Sequence, residues 1–471
     1  MSTAKSIASN FSIQLLGKVV SVLVGLISIA VITRALGTHA FGEHTTAITY
    51  LQMFGVLVDF GLTLTLIVMI SKTGIDEERV VGNFFGLRLV SGLLLFSLAP
   101  LSVLLFPWSS TVKTAVLVGA VAYFLMGGAS MLVGVFQRHE CMWRAALAEL
   151  INRGVLLILV ILFALLSPGV VEMFIAMVIS NALWLFIMIR FAKPFVRIHP
   201  LFEWSQWMFI LSHSWPIAVS IIFNLLYLKG DILFLAYFRD QSEVGLYGMA
   251  YRIIDVMTVL PTMFMGIVLP SLVALWSSGE KEAFRIRINR IFDLFVLVVV
   301  PVIVGGQLVS TELTVFIAGN DFASAGPVLS ALLLALIGVF FGTLYGHLVV
   351  ALNKQRIMTL GYIFVAIISV GGYLWLIPEY GMWGGVWVTL VSEGLIALIT
   401  FGVVYRSSKA LPNPTVFLKS LIASLIMYAV LSQMHVPVMI DLVTGAVLYS
   451  GSLLILKAIT IKEIKSLLPR R

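Results

Sequence analysis

A chain of 471 residues that is 60% hydrophobic and 11% charged carries far more apolar surface than a soluble core buries, since soluble domains are about 45–50% apolar and about 25% charged. Lipid must take up the excess, which excludes a soluble enzyme or binding module. The net charge of +8 has to be mapped against the membrane before it speaks of any partner, and a lone Cys141 excludes both an internal disulfide and a thiolate metal site.

The opening MSTAKSIASNFSIQLLGK lacks a charged segment followed by a small-residue cleavage site, so the first apolar run is read as a retained helix. Crossing the hydrocarbon takes roughly 20 apolar residues. Runs of that kind occupy 11–34, 45–70, 80–106, 114–136, 145–166, 170–190, 208–236, 244–275, 291–310, 325–351, 357–377, 381–405, 415–434 and 437–459. About fourteen transmembrane helices follow, in an all-α integral membrane fold. Pro437 crowds the last two, so twelve core helices plus a C-terminal pair is the natural division. With the N-terminus in the cytoplasm, only Arg34, Lys113 and Arg239 fall outside. Lys18, Arg88, Arg153, Lys229 and Arg252 lie within spans, and every other lysine and arginine falls inside, as the positive-inside rule requires. Both termini are therefore expected in the cytoplasm.

The halves resemble each other. Phe41-Gly42 after the first span matches Val244-Gly245 after the seventh, and Ser180-Asn181 in the sixth matches Ser392-Glu393 in the twelfth. Six helices separate each pair, an even number, so the copies share one orientation. The expected organisation is two six-helix lobes in parallel repeat, 1–200 and 201–410, around a central cavity, followed by a helix pair at 411–471.

Ten ionisable side chains fall within the spans: the five cations above and Asp59, Glu149, Asp231, Asp255 and Glu393. At about 2.5–3.5 kcal/mol for each central charge, they must be paired, hydrated or close to the interface. Helical spacing places Gln14, Lys18 and Ser21 on one stripe and Gln52, Asp59 and Thr63 on another. Asn224, Tyr227 and Asp231 form a third, and Tyr247, Tyr251, Asp255 and Thr258 a fourth. Such stripes face protein or water rather than lipid, and a hydrated cavity between the lobes accommodates them. Local pairing offers a plainer account of some. Glu149 with Arg153 (i,i+4) and Arg252 with Asp255 (i,i+3) have salt-bridge spacing, while Arg88 and Lys229 sit where snorkelling is open to them. Lys18 has no acid one turn away. Asp59 and Glu393 lie near mid-depth, each either a proton or cation site or a fixed counter-charge. No HExxH, Walker, GxSxG or GxGxxG signature precedes a fitting element, so no catalytic residue, metal site or cofactor is expected and the chain reads as a non-enzyme.

Asn10, Ser12 and Gln14, then Arg34-Ala35-Leu36-Gly37 and Phe41-Gly42, resemble the start of polysaccharide transporters of the Wzx type. That resemblance implies the superfamily shared by O-antigen flippases, lipid II flippases and multidrug exporters of the MATE kind, built as two six-helix bundles that work by alternating access. It implies flipping of an undecaprenyl-diphosphate-linked oligosaccharide from the cytoplasmic to the periplasmic leaflet of a bacterial inner membrane, alongside polymerase and chain-length machinery, with no nucleic acid partner. Lys18, Arg88, Arg153 and Arg252 supply cations for a diphosphate. Gln14, Gln52, Asp59, Asn224 and Asp255 supply polar lining for sugars. Asp231 and Glu393 are candidates for coupling to H+ or Na+. The alternative is a cation-coupled small-molecule exporter; against cationic drugs stands Lys18, at the first helix, where MATE-like exporters commonly carry an acid.

Overall fold

The computed structural model describes residues 2–70, 76–434 and 436–458, with backbone alone at 2–16, 19 and 216. Among the described residues every regular element is helical: α1 (Ser2–Asp59), α2 (Leu62–Ile70), α3 (Glu77–Ser102), α4 (Ser110–Met131), α5 (Val133–Arg138), α6 (Met142–Leu166), α7 (Val170–Ala192), α8 (Trp204–Phe238), α9 (Gln241–Ser277), α10 (Lys281–Ala318), α11 (Ala325–Ala351), α12 (Gln355–Tyr380), α13 (Met382–Ser408), α14 (Thr415–Leu431) and α15 (Val438–Ile455). Twelve stretches are long and apolar enough to cross a membrane. The first, Val20–Ile70, holds 51 residues. As a continuous helix it would run about 77 Å, more than twice the roughly 30 Å hydrocarbon. It breaks at Gly37, whose φ of 70° is open to glycine and costly for any other residue. That break separates the first two predicted spans. The shorter apolar helix Thr415–Leu431 supplies another, so each of the fourteen predicted runs has its helix.

The chain divides into two compact units, residues 1–245 and 246–471. In the first, α1 packs on α4, α6 and α8, while α4 also packs on α3 and α7, and α6 on α7. In the second, α11 packs on α10 and α13, and α12 on α13; α10 also carries α14 and α15. Three pairings therefore recur: α3–α4, α4–α7 and α6–α7 in one unit become α10–α11, α11–α13 and α12–α13 in the other. The same helices of each six-helix copy find the same neighbours. The repeat sets α8 at the head of the second copy, yet it packs on α1, α2 and α3, and the first compact unit runs through it.

Glycines mark the closest approaches. A Cβ on Gly42 would lie 1.7 Å from the Gln241 carbonyl oxygen, and one on Gly245 would lie 2.0 Å from that of Thr38. Gly42 and Gly245 are the repeat-related glycines predicted from the sequence, and Thr38 and Gln241 stand in the same register. Two equivalent helix starts thus cross backbone to backbone, a contact no side chain permits. A second strap holds the segment before α8. The Leu201 amide donates to the Gly82 carbonyl (2.9 Å), and a Cβ on Gly86 would meet the Leu201 carbonyl oxygen at 2.0 Å. Arg79 donates through both Nε and Nη2 to the Glu203 carboxylate, at 3.1 and 2.5 Å. The terminal pair is fastened to α10 by Tyr449, whose hydroxyl donates to the Leu297 carbonyl (2.9 Å) and bonds Ser420 (2.7 Å).

Candidate functional site

In the first unit the intramembrane charges meet across helices rather than along them. Lys18 on α1 donates to Glu149 on α6 at 3.1 Å. This corrects the i,i+4 expectation: the partner of Glu149 is Lys18, distant in sequence, and not Arg153. The Lys18 side chain is 41% exposed and that of Glu149 27%, so the pair keeps contact with its surroundings. Arg88 on α3 donates to Asp59 at the end of α1 at 2.5 Å. Asp59 also accepts from Thr63 at 2.6 Å, while Gly127 leaves room for the guanidinium, whose nearest atoms lie 3.3 Å from where a Cβ would stand. Arg88 is buried, so it pairs inward with Asp59 and does not snorkel. Asp59 is thus the ion-pair partner of Arg88.

Arg153 stands one turn beyond Glu149 on α6 and is half-buried. Its Nε is buried without a hydrogen-bond partner, and no acid pairs with it among the described residues. One turn of α6 therefore carries Glu149, paired with Lys18 of α1, and Arg153, which no acid pairs with among the described residues. Beside them, Asn152 donates to Asn181 of α7 (3.4 Å), which donates onward to the Ala122 carbonyl of α4 (3.1 Å). Gln52 is half-buried on α1. Gln14 lies on α1, but its side chain is outside the described set. Asn224 donates to the hydroxyl of Tyr227 on the same helix (3.1 Å). Asp231 is fully buried and accepts from the Ile232 amide (2.8 Å).

In the second unit Arg252 and Asp255 are half-buried on α9 and do not form the i,i+3 pair. Arg252 makes no ion pair or hydrogen bond among the described residues. The outer part of the α9 stripe faces protein, one of the two settings expected of such a stripe. Tyr247 and Tyr251 are buried, their rings 4.9 Å apart, and the Tyr251 hydroxyl meets Thr389 of α13 at 2.9 Å. This polar stripe is satisfied by protein, which serves as well as water. Glu393 on α13 is buried, and it lies against Gly338 of α11, where a Cβ would stand 2.6 Å from the Glu393 carbonyl carbon. No hydrogen bond reaches its carboxyl among the described residues.

Glu43 escaped the sequence reading because it falls between two runs and counts there as a loop residue. It is buried on α1 and accepts from Ser109 at 2.5 Å. The buried threonines that follow it, Thr45, Thr46 and Thr49, are the one sequence signal that this stretch is already helix. Outside the spans, hydrogen bonds from Arg79 and then Asn83 hold the Glu203 carboxyl below the usual carboxylate range. Asp240 is likewise lowered, chiefly by hydrogen bonds from Ser242. Neither belongs to the candidate site. Among the described residues no cluster of His, Cys, Asp and Glu has the makings of a metal site.

Comparison with known proteins adds the following. The sequence model of the family described as "Polysaccharide biosynthesis protein" matches residues 7–276. A succinoglycan biosynthesis transport protein, ExoT of Rhizobium meliloti (strain 1021), is 20% identical over 339 residues, covering 70% of this chain and 66% of its own length. A protein named "Probable flippase AglR" in Haloferax volcanii is 27% identical over 190 residues, 39% of each chain. The chain thus spans about two thirds of the first relative and well under half of the second. Among solved structures, the inward closed conformation of the lipid II flippase MurJ superposes with a TM-score of 0.78 at 16% identity, covering 96% of this chain and 99% of that one. An inward-facing multidrug transporter of the MATE family and MOP superfamily superposes at 0.64 and 15% identity, covering 83% and 95%. These identities speak for the fold alone.

Proposed function

Because the chain belongs to the polysaccharide biosynthesis protein family and has the fold of a lipid flippase, we propose that it flips an undecaprenyl-diphosphate-linked oligosaccharide across the bacterial inner membrane by alternating access. Its direction is from the cytoplasmic to the periplasmic leaflet, with both termini cytoplasmic. The observation that carries this reading is Arg153. A half-buried guanidinium whose Nε lacks a partner, and which no acid pairs with among the described residues, is free to take an anion, since its planar donors match a phosphate in pairs. Lys18 stands close by on Glu149, in a pair exposed enough to open. An arriving diphosphate takes the free donors of Arg153 and competes with Glu149 for Lys18, so the anion is held by two cations while one carboxylate is released. Arg88, neutralised by Asp59, positions α3 against α1 and adds no net charge. Arg252 supplies a further unpaired cation in the second unit. Gln52 and Asn224 offer amides to sugar hydroxyls. Nothing in this cycle makes or breaks a covalent bond, in keeping with a transporter.

Ion coupling falls to Glu393 and Asp231. Glu393 is the stronger candidate, since a buried carboxyl lacking hydrogen bonds changes its cost of burial steeply with protonation. The polymerase and chain-length machinery that consumes the flipped unit are the expected partners.

The test is Arg153→Ala in cells and in proteoliposomes. A tenfold or greater fall in flipped lipid-linked glycan, with protein level and melting temperature unchanged and partial recovery in Arg153→Lys, is the expected result. Transport at the wild-type rate in Arg153→Ala would end the anion-site reading. Drug resistance conferred by the wild type without any glycan phenotype would favour the small-molecule exporter.

A further inference from the structure

The first unit carries an open, mostly apolar trough between α3 and α4, apart from the charged site. It encloses about 830 Å³ and is lined by Gly92, Phe96, Ser97, Leu101, Lys113 and Leu117, among others. The sequence makes the trough. Gly92 lets the Phe124 ring lie within 2.9 Å of where its Cβ would stand, which sinks the floor. Pro100 lies inside α3, where its ring removes a backbone donor and loosens the turn. The helix then tightens into a 3₁₀ turn at Val103–Leu105. From Gly92 to Leu104 the wall rises about 18 Å at 1.5 Å per residue, close to the roughly 15 Å depth of one leaflet.

The polar residues of the trough are Ser97, Lys113 and Thr114, and the last two stand in the first turns of α4. Lys113 makes no ion pair or hydrogen bond through its side chain among the described residues. A cation at a helix N-terminus lies against the positive end of the helix dipole, an unfavourable place unless an anion shares it. Glu43 does not fill that role: it is buried, is taken up by Ser109, and makes no ion pair with Lys113. Lys113 is also one of only three basic residues that the positive-inside reading leaves on this face of the membrane. Of the other two, Arg239 pairs with Glu243 at 2.9 Å.

The geometry points to a bound anionic phospholipid here, its phosphate on Lys113 and Thr114 and one acyl chain lying in the trough down to Phe124. The occupant belongs to the leaflet on the side of the α3–α4 connection. Its depth is that of one leaflet, which suits an acyl chain and is far too short for an undecaprenyl tail. The site rests on charge and shape at α3 and α4 and is independent of the transport reading.

The test is native mass spectrometry of the full-length protein released from nanodiscs containing phosphatidylglycerol and phosphatidylcholine in equal amounts. Wild type is expected to retain phosphatidylglycerol at least fivefold over phosphatidylcholine. K113E should lose that preference and K113R keep it. Leu117→Trp, a lipid-facing change that fills the trough without touching the helix interface, should reduce retention of both lipids. Equal retention by wild type and K113E, or no preference in wild type, would each overturn the proposal. The K113R and Leu117→Trp variants, checked by melting temperature, guard against reading misfolding as lost binding.

Discussion

Asn181 on α7 and Glu393 on α13 stand at equivalent places in the repeat, both buried, on helices that make equivalent packings against α4 and α11. The first unit puts a neutral amide there and satisfies it from two sides, through Asn152 and the Ala122 carbonyl. The second unit puts a carboxyl there, presses its backbone against Gly338, and gives it no hydrogen bond among the described residues. An amide with its partners in place has one state. A carboxyl without them has two of very different cost, because ionisation in a low-dielectric interior is expensive without a donor. The first unit treats its charges in the opposite way, as the cross-helix pairs Lys18–Glu149 and Arg88–Asp59 show. One copy of the repeat thus pairs most of its polar groups and leaves the Nε of Arg153 without a partner among the described residues. The other holds a buried carboxyl with no hydrogen bond among the described residues. On the proposed reading, duplication let the two copies divide binding from coupling.

The most severe way to break this contrast is to strip a fixed charge of its partner. Arg88→Ala leaves Asp59 without its cation and is expected to cost about 3 kcal/mol, read as a fall in melting temperature in detergent. Adding Asp59→Asn should recover most of it. An unchanged melting temperature in the single variant would remove the pair from the account of the fold. Next in size is the helix crossing. Gly42→Ala must push apart two backbones and is expected to cost about 1–3 kcal/mol and to lower transport. Gly346→Ala, where a Cβ meets nothing within 4 Å, serves as the neutral control.

Glu393→Gln sharpens the contrast directly. Stability should hold or rise slightly, while glycan flipping in proteoliposomes becomes indifferent to an imposed pH gradient. A mutant that responds to the gradient as wild type does would remove Glu393 from coupling. Asn181→Asp, its converse, replaces the donor to the Ala122 carbonyl with an acceptor and should destabilise by about 1–3 kcal/mol. The smallest effect belongs to the strap at Glu203. Its carboxyl is held below the ordinary range by Arg79, so its stabilising contribution is complete above the unfolded value and is lost as pH falls through the lowered folded one. Proteolysis around 199–203 should rise only in acid, and Glu203→Gln should show the acid behaviour at neutral pH.

Much of this was legible in the residues themselves. The fourteen apolar runs became helices, and Ala325–Ala351 matched its run to the residue, while the run read at 291–310 extends to Lys281–Ala318. The repeat was legible too, because Gly42 and Gly245 are needed wherever that helix start occurs. Charge pairing was not. Helical spacing proposed Glu149 with Arg153 and Arg252 with Asp255, but partners on one helix compete with partners on another. The tertiary packing chose Lys18 for Glu149 and left both arginines without an acid among the described residues. The α9 stripe shows the same limit: spacing says that Tyr247 and Tyr251 share a face, not whether protein or water covers it.

Sequence alone determined that this chain is a multi-pass membrane protein built of apolar helices and that its halves carry matching elements. Those properties depend on hydrophobicity summed over twenty residues at a time and on backbone conformations that only glycine tolerates. Which cation keeps a counter-ion, and which buried acid goes without a donor, was decided only when the helices packed. Coulomb and hydrogen-bond energies at membrane depth turn on ångström distances between residues more than a hundred positions apart, as between Lys18 and Glu149.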